Sequence, residues 1–162
     1  INYRWPSTFW ESKGPGAEGL CCVGFVTGAV MLLNMQVMQE VGLFDEDFFL
    51  YYEDDDLCQR AFMLRKPILV APHVNVIHLS RGSVRGKARW RSEFYRGYHH
   101  AQSKIIFTAK HKNREAATQL RRKTLMLAFV AVVPRLLLPA PRHVARLVGR
   151  ICGLWQLDAR RG

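Results

Sequence analysis

A chain of 162 residues with 49% apolar side chains can bury a real core, and the length fits about one domain. The net charge of +11 is unevenly spread: residues 1–78 hold 5 Lys and Arg against 10 Asp and Glu (−5), whereas residues 79–162 hold 19 against 3 (+16). The cations sit among long apolar segments rather than on a polar aromatic platform, which argues against a nucleic-acid binder and gives the two halves different partners.

The opening Ile1-Asn2-Tyr3-Arg4-Trp5-Pro6 has no charged region followed by an apolar stretch, so no secretory signal is present in it. A start at isoleucine reads as a piece of something longer. Cys21, Cys22, Cys58 and Cys152 make no C-x-x-C pair and no zinc-spaced Cys/His cluster, so reduced thiols in a cytosolic setting are expected. Residues 1–22 mix Trp, Pro and Gly without a sustained period, as a loop or lid does. Trp5, Phe9 and Trp10 there either stack on a sugar face or cover the edge of a core.

The apolar run Val23–Leu33 predicts a buried strand, with Gly28 where something approaches the backbone closely. Val37–Val41 predicts a turn or two of helix, stopped by Gly42. The apolar, aromatic run Leu43–Leu50 then leads through Tyr51 and Tyr52 into four consecutive acids, Glu53-Asp54-Asp55-Asp56. A solvated acidic tail would not carry so many rings at its border, so these acids are held at the edge of a core. They open a helix predicted from Glu53 to about Lys66, in which Leu57, Ala61 and Leu64 recur at helical spacing and Asp56 pairs with Arg60. The helix N-terminus favours negative charge by about 0.3–1 kcal/mol per group. Mutual repulsion still raises some of the four pKa values, which suits a proton acceptor near neutral pH.

Ile68–Ala71 and Val74–His78 predict short strands broken at Pro72. His78, at a strand end beside the polar loop Ser80-Arg81-Gly82-Ser83, reads either as a metal ligand or as structural. Beyond Gly86 the chain turns helical and basic. Trp90, Phe94, Tyr98, Ala101 and Ile105 mark one helical face. Leu125–Val133 is apolar but makes a short and flawed spanning helix, since Pro134-Arg135 interrupts it and Pro139-Ala140-Pro141 closes it, so residues 124–141 either span a membrane or lie on one. Last, Val144, Leu147, Val148, Ile151 and Leu154 form a stripe flanked by Arg142, Arg146 and Arg150. That pattern either lies on an anionic membrane surface or packs on the domain.

Three stretches together resemble the acceptor-side half of family-2 glycosyltransferases, nearest their rhamnosyltransferase-like branch: Val26–Leu33, the long motif Val41–Arg60 (G-L-F-D-E-D-F-F-L-Y-Y-E-D-D-D-L-C-Q-R from Gly42), and Pro72 with His78–Ser83. The resemblance spans residues 20–85. It implies an α/β fold for residues 1–85, part of the Rossmann-like mixed sheet called GT-A, without the nucleotide-binding half that should precede Ile1. Residues 86–162 would be a basic helical tail. The implied activity is inverting transfer of a sugar from a nucleotide-sugar donor to a hydroxyl of a polysaccharide or lipid-linked acceptor in cell-surface polysaccharide synthesis. Rhamnose is the implied sugar, with galactofuranose or glucose behind it.

The family's Glu-Asp pair falls on Glu53-Asp54, with Asp54 as general base. Its histidine falls on His78, which would hold a divalent metal, Mg or Mn, on the departing diphosphate. Gly28, Asp45, Arg81 and Ser83 would contact substrate, the last two over the diphosphate. Residues Asn34-Met35 stand where the family often has basic ones, and Arg65 replaces a helix-ending glycine, which asks for either a left-handed arginine or a shifted helix end. A chain lacking the donor half should be inactive alone and peripheral on the cytoplasmic face of a membrane. The competing reading is a non-catalytic module that docks on membranes or partner proteins.

Overall fold

The computed structural model describes residues 5–10, 19–78, 89–136 and 141–159. Contacts divide these into two compact units, one within Ile1–Glu46 and Glu53–Ser80, the other within Asp47–Tyr52 and Arg81–Gly162.

In the first unit, strand β1 (Cys21–Val23) is followed by helices α1 (Met35–Val41) and α2 (Glu53–Met63) and by strand β2 (Ile68–Val70). The strands pair antiparallel, Cys21 opposite Val70 and Val23 opposite Ile68. Asn34 starts α1 by accepting the Gln36 and Val37 N–H groups on its side chain, and Gly42 ends it at φ 84°. Met38 and Val41 of α1 bury against Leu57 and Ala61 of α2, with Ile68 of β2 packed alongside. Helix α2 ends in a Schellman turn: Lys66 N–H reaches Ala61 O at 2.9 Å and Arg65 N–H reaches Phe62 O at 3.1 Å. Arg65 stands at φ 56°, so the arginine is indeed left-handed. Its guanidinium rests over the Trp5 ring, 5.2 Å from the centroid, which offsets part of the strain of that conformation. Trp5, Phe9, Trp10, Phe25 and Phe62 form one aromatic cluster, so the early rings pack on the unit as a cover.

The expected GT-A half is not there. The described residues are predominantly helical, with a two-stranded antiparallel sheet in place of a Rossmann-like mixed sheet. Val26–Leu33 fails as a strand because its backbone groups are claimed by α2: Gly28 N–H donates to Asp54 Oδ2, and Cys58 Sγ–H to Val26 O. Val74–His78 is exposed and pairs with no strand among the described residues. Both are apolar runs, and apolarity without a ladder partner does not make a strand.

The second unit is three helices: α3 (Arg89–His111), α4 (Arg114–Leu136) and α5 (Pro141–Ala159). Asn113 caps α4 by accepting the Ala116 N–H at 2.7 Å. Pro134 lies in the last turn of α4 rather than ending it. Ala101, Ile105, Ala117, Leu154 and Leu157 form the core. Helix α5 packs along α3 through glycines, Gly97 meeting the Arg146 backbone and Gly149 and Gly153 meeting those of Phe94 and Tyr98. Side chains of the neighbours reach α5 carbonyls as well: Gln102 Nε2 donates to Gly153 O at 3.0 Å and Arg121 Nε to Leu154 O at 2.9 Å. The face of α5 is therefore occupied by packing. Apolar surface is left instead on α4, where Met126, Phe129, Val130 and Val133 are exposed. Among the described residues no helix is long and apolar enough to cross a membrane. All four cysteines are free.

Candidate functional site: the acidic first turn of α2

The aromatic run is divided: Leu43–Glu46 belong to the first unit with the acids Glu53–Asp56, whereas Asp47–Tyr52 belong to the second. Residues 47–52 sit against α3: Ser103 Oγ donates to Leu50 O at 2.8 Å, Phe49 lies 4.7 Å from His99, and Tyr51 and Tyr52 each lie about 5.5 Å from His100. Burial lowers the pKa of both histidines, and in His100 nearby cations, Arg150 first, lower it further. Tyr51 and Tyr52 hold φ values of 68° and 67°. Two successive bulky residues in the left-handed region cost of order 1–2 kcal/mol each, strain that the surroundings must impose. The chain thereby turns sharply before entering α2 at Glu53.

The first turn of α2 presents Glu53, Asp54, Asp55 and Asp56 to free helix N–H groups. Asp56 points inward, fully buried, and binds Arg60 Nε at 2.8 Å. The same guanidinium donates to Val41 O at 2.5 Å and to Leu43 O at 2.6 Å, tying α2 to the end of α1. Asp54 accepts the Asp55 N–H at 3.0 Å on one oxygen and the Gly28 N–H at 2.7 Å on the other. Gly28 eases that approach, since a Cβ there would stand a tight 3.3 Å from Asp54 Cβ. Two sequence candidates 26 residues apart thus meet. Each Asp54 oxygen keeps a further lone-pair site for a substrate hydroxyl.

Asp55 is the titrating member. Burial first, then Asp54 and Glu53, push its pKa up to about 6. Glu53 is raised by burial and by Asp54, against the lowering effect of its own backbone hydrogen bond, and its buried Oε2 meets no hydrogen-bond partner among the described residues. In sequence the four adjacent acids look alike, and burial is what sets Asp55 apart.

Linkage gives a sign to check. Asp55 ordinarily titrates at 3.8, and in the fold at about 6, so between those values the folded state holds the extra proton. Stability then rises as pH falls through 6 toward 4, and the destabilisation is fully present above 6. Half-exposure lets solvent screen the effect to of order 1 kcal/mol. The urea midpoint of the wild type should therefore rise on acidification relative to Asp55→Asn. Parallel pH profiles for the two proteins would contradict the assignment.

His78 is exposed and makes no hydrogen bond or ion pair among the described residues. Among the described residues no three His, Cys, Asp or Glu side chains come together as a metal site, so these residues do not fit the expected divalent metal. Asp45 is half-buried in the segment after α1. Arg81 and Ser83 lie outside the described residues. No family model, no curated protein and no solved structure matches this chain.

Proposed function

We propose that this chain carries the acceptor-side carboxylates of an inverting, nucleotide-sugar-dependent glycosyltransferase of cell-surface polysaccharide synthesis, rhamnose being the first donor to try. The reading rests on the long motif from Gly42 to Arg60, and the observation that supports it best is the 2.7 Å contact between Gly28 and Asp54. That bond fixes a carboxylate at the mouth of α2 with lone pairs to spare. In the step, an acceptor hydroxyl gives its proton to Asp54 while its oxygen bonds the anomeric carbon. The bond from that carbon to the diphosphate breaks, and the nucleoside diphosphate leaves with the electron pair. Burial raises the pKa of both Asp55 and Glu53, which makes each easier to protonate beside Asp54.

The test is sugar transfer by the protein in its native, full-length form. Asp54→Asn keeps an acceptor for the Gly28 N–H and removes the base, so kcat should fall by roughly 10²–10⁴ with little change in KM. Normal transfer by that variant would end the assignment. Collapse in Asp55→Asn alone would move the base one residue along.

Helix α4 favours a second element, peripheral attachment to an anionic membrane surface. Its outer face runs from Arg122 and Lys123 into the exposed Met126, Phe129, Val130 and Val133, the order of a surface-lying amphipathic helix. The protein should sediment with anionic vesicles and be released by salt, and Phe129→Asp with Val130→Asp should leave it in the supernatant. Equal sedimentation of that variant would remove α4 from the contact.

A further inference from the structure

A cavity of about 330 Å³ lies within the three-helix unit, a size that suits a small ligand. His100 and Lys104 reach it from one face of α3, Lys123 and Thr124 from α4, and Arg150 from α5. Three cations and an imidazole therefore share one small volume with a hydroxyl and no carboxylate in its wall. Among the described side chains, no helix supplies their counter-charge at the cavity wall. Of the carboxylates there whose side chains are described, Glu93 is taken by Arg96 and Arg146, and Glu115 is exposed beside Gln119. Burial and then Arg146 hold the Arg150 pKa below its ordinary value, as expected of a cation with repulsion unrelieved.

The rest of the wall is apolar, with Ile105, Leu120 and Leu127. Leu127 is also 53% exposed, one helical turn from the exposed Val130, so the apolar lining continues onto the outer face of α4. A carboxylate brings one charge and two oxygens. A phosphate monoester brings close to two charges and three acceptor oxygens, a better match for three cations and a hydroxyl.

We infer that this cavity binds a phosphate-bearing amphiphile, its phosphate held by Lys104, Lys123 and Arg150 with Thr124 donating, and its apolar chain laid over Leu120 and Leu127. The inference stands apart from sugar transfer, since it concerns the helical unit and is read by binding alone.

Calorimetry with the full chain tests it, using inorganic phosphate, octyl phosphate below its micellar concentration, and octanol. Octyl phosphate should bind at least about tenfold more tightly than inorganic phosphate, octanol not measurably, and rising salt should weaken both phosphates. Arg150→Gln should weaken octyl phosphate by about 10- to 100-fold, the loss expected of one charge-assisted contact. Lys123→Gln, at an exposed position where folding is not at risk, should do so by about tenfold. Leu127→Gln should lower octyl phosphate affinity and spare inorganic phosphate. Equal affinity for the two phosphates would make this a free-phosphate site and overturn the amphiphile. Octyl phosphate binding that ignores Lys123→Gln and Arg150→Gln would overturn the cavity itself.

Discussion

Gly149→Ala is expected to unfold the three-helix unit, although alanine is the better helix former by about 1 kcal/mol. The reason is how closely α5 approaches α3. A Cβ at Gly149 would stand 2.0 Å from Phe94 O, and a Cβ at Gly97 would stand 2.0 Å from Arg146 O. Gly153 is nearly as tight, 2.5 Å from Tyr98 O. These neighbours are backbone atoms inside helices, so no rotamer change can make room. The helices must separate. Separation uncovers Leu154 and Leu157, which α5 buries in the shared core, and breaks the Gln102 bond to Gly153 O. Overpacking a tight core costs about 1–3 kcal/mol when side chains can adjust, and more when they cannot. A loss of about 3 kcal/mol or more is therefore expected, against a propensity gain of about 1. Chemical denaturation followed by helical circular dichroism measures it, with Val148→Ala as the control on the exposed side of α5. A Gly149→Ala protein as stable as the wild type would mean that α5 does not pack through its glycines.

The sequence reading of α5 shows what a residue pattern can and cannot disclose. Val144 through Leu154 do recur at helical spacing, and the helix is real. Its contact face, however, is centred on Gly149 and Gly153, which contribute no hydrophobicity and so are invisible to an apolar stripe. Helix α2 was legible for the opposite reason. Its start and its Asp56–Arg60 pair follow from side chains whose preferences are local, whereas the left-handed Arg65 goes against arginine's own preference. The sheet was partly legible: Ile68–Val70 falls inside the strand expected at Ile68–Ala71, but its pairing did not show, because strand formation depends on a partner that spacing does not name. Cys21–Val23 found one in Ile68–Val70, while the more apolar Val26–Leu33 did not. The acidic site was half legible. A close approach at Gly28 was expected, but not that Asp54 makes it, and the pKa raised to about 6 falls to Asp55 through burial, a property of the folded neighbourhood. The cation-lined cavity escaped notice altogether, since His100, Lys104, Lys123 and Arg150 stand on three different helices.

Asp56→Ala should cost the first unit about 3–5 kcal/mol, the range for removing one member of a buried ion pair. Asp56 is 0% exposed, and its partner Arg60 does more than balance charge. With Nε on the carboxylate, the guanidinium keeps two nitrogens for Val41 O and Leu43 O, the carbonyls on either side of the Gly42 turn. Without Asp56 the fork is no longer aimed, and a cation is left beside the α1–α2 core of Met38, Val41, Leu57 and Ala61. Arg60→Lys should fare little better, because a single ammonium cannot serve the carboxylate and both carbonyls at once. Removing both charges as Asp56→Leu with Arg60→Met should be less damaging than the two single losses summed, as no uncompensated charge remains. Recovery should still be incomplete, since Val41 O and Leu43 O lose their donors. A double-mutant cycle by urea denaturation separates these terms: a coupling of about 2 kcal/mol or more is expected. Strict additivity would mean that Arg60 holds the turn without help from Asp56. The long motif that begins at Gly42 and ends at Arg60 would then lack the internal strut that accounts for its last residue.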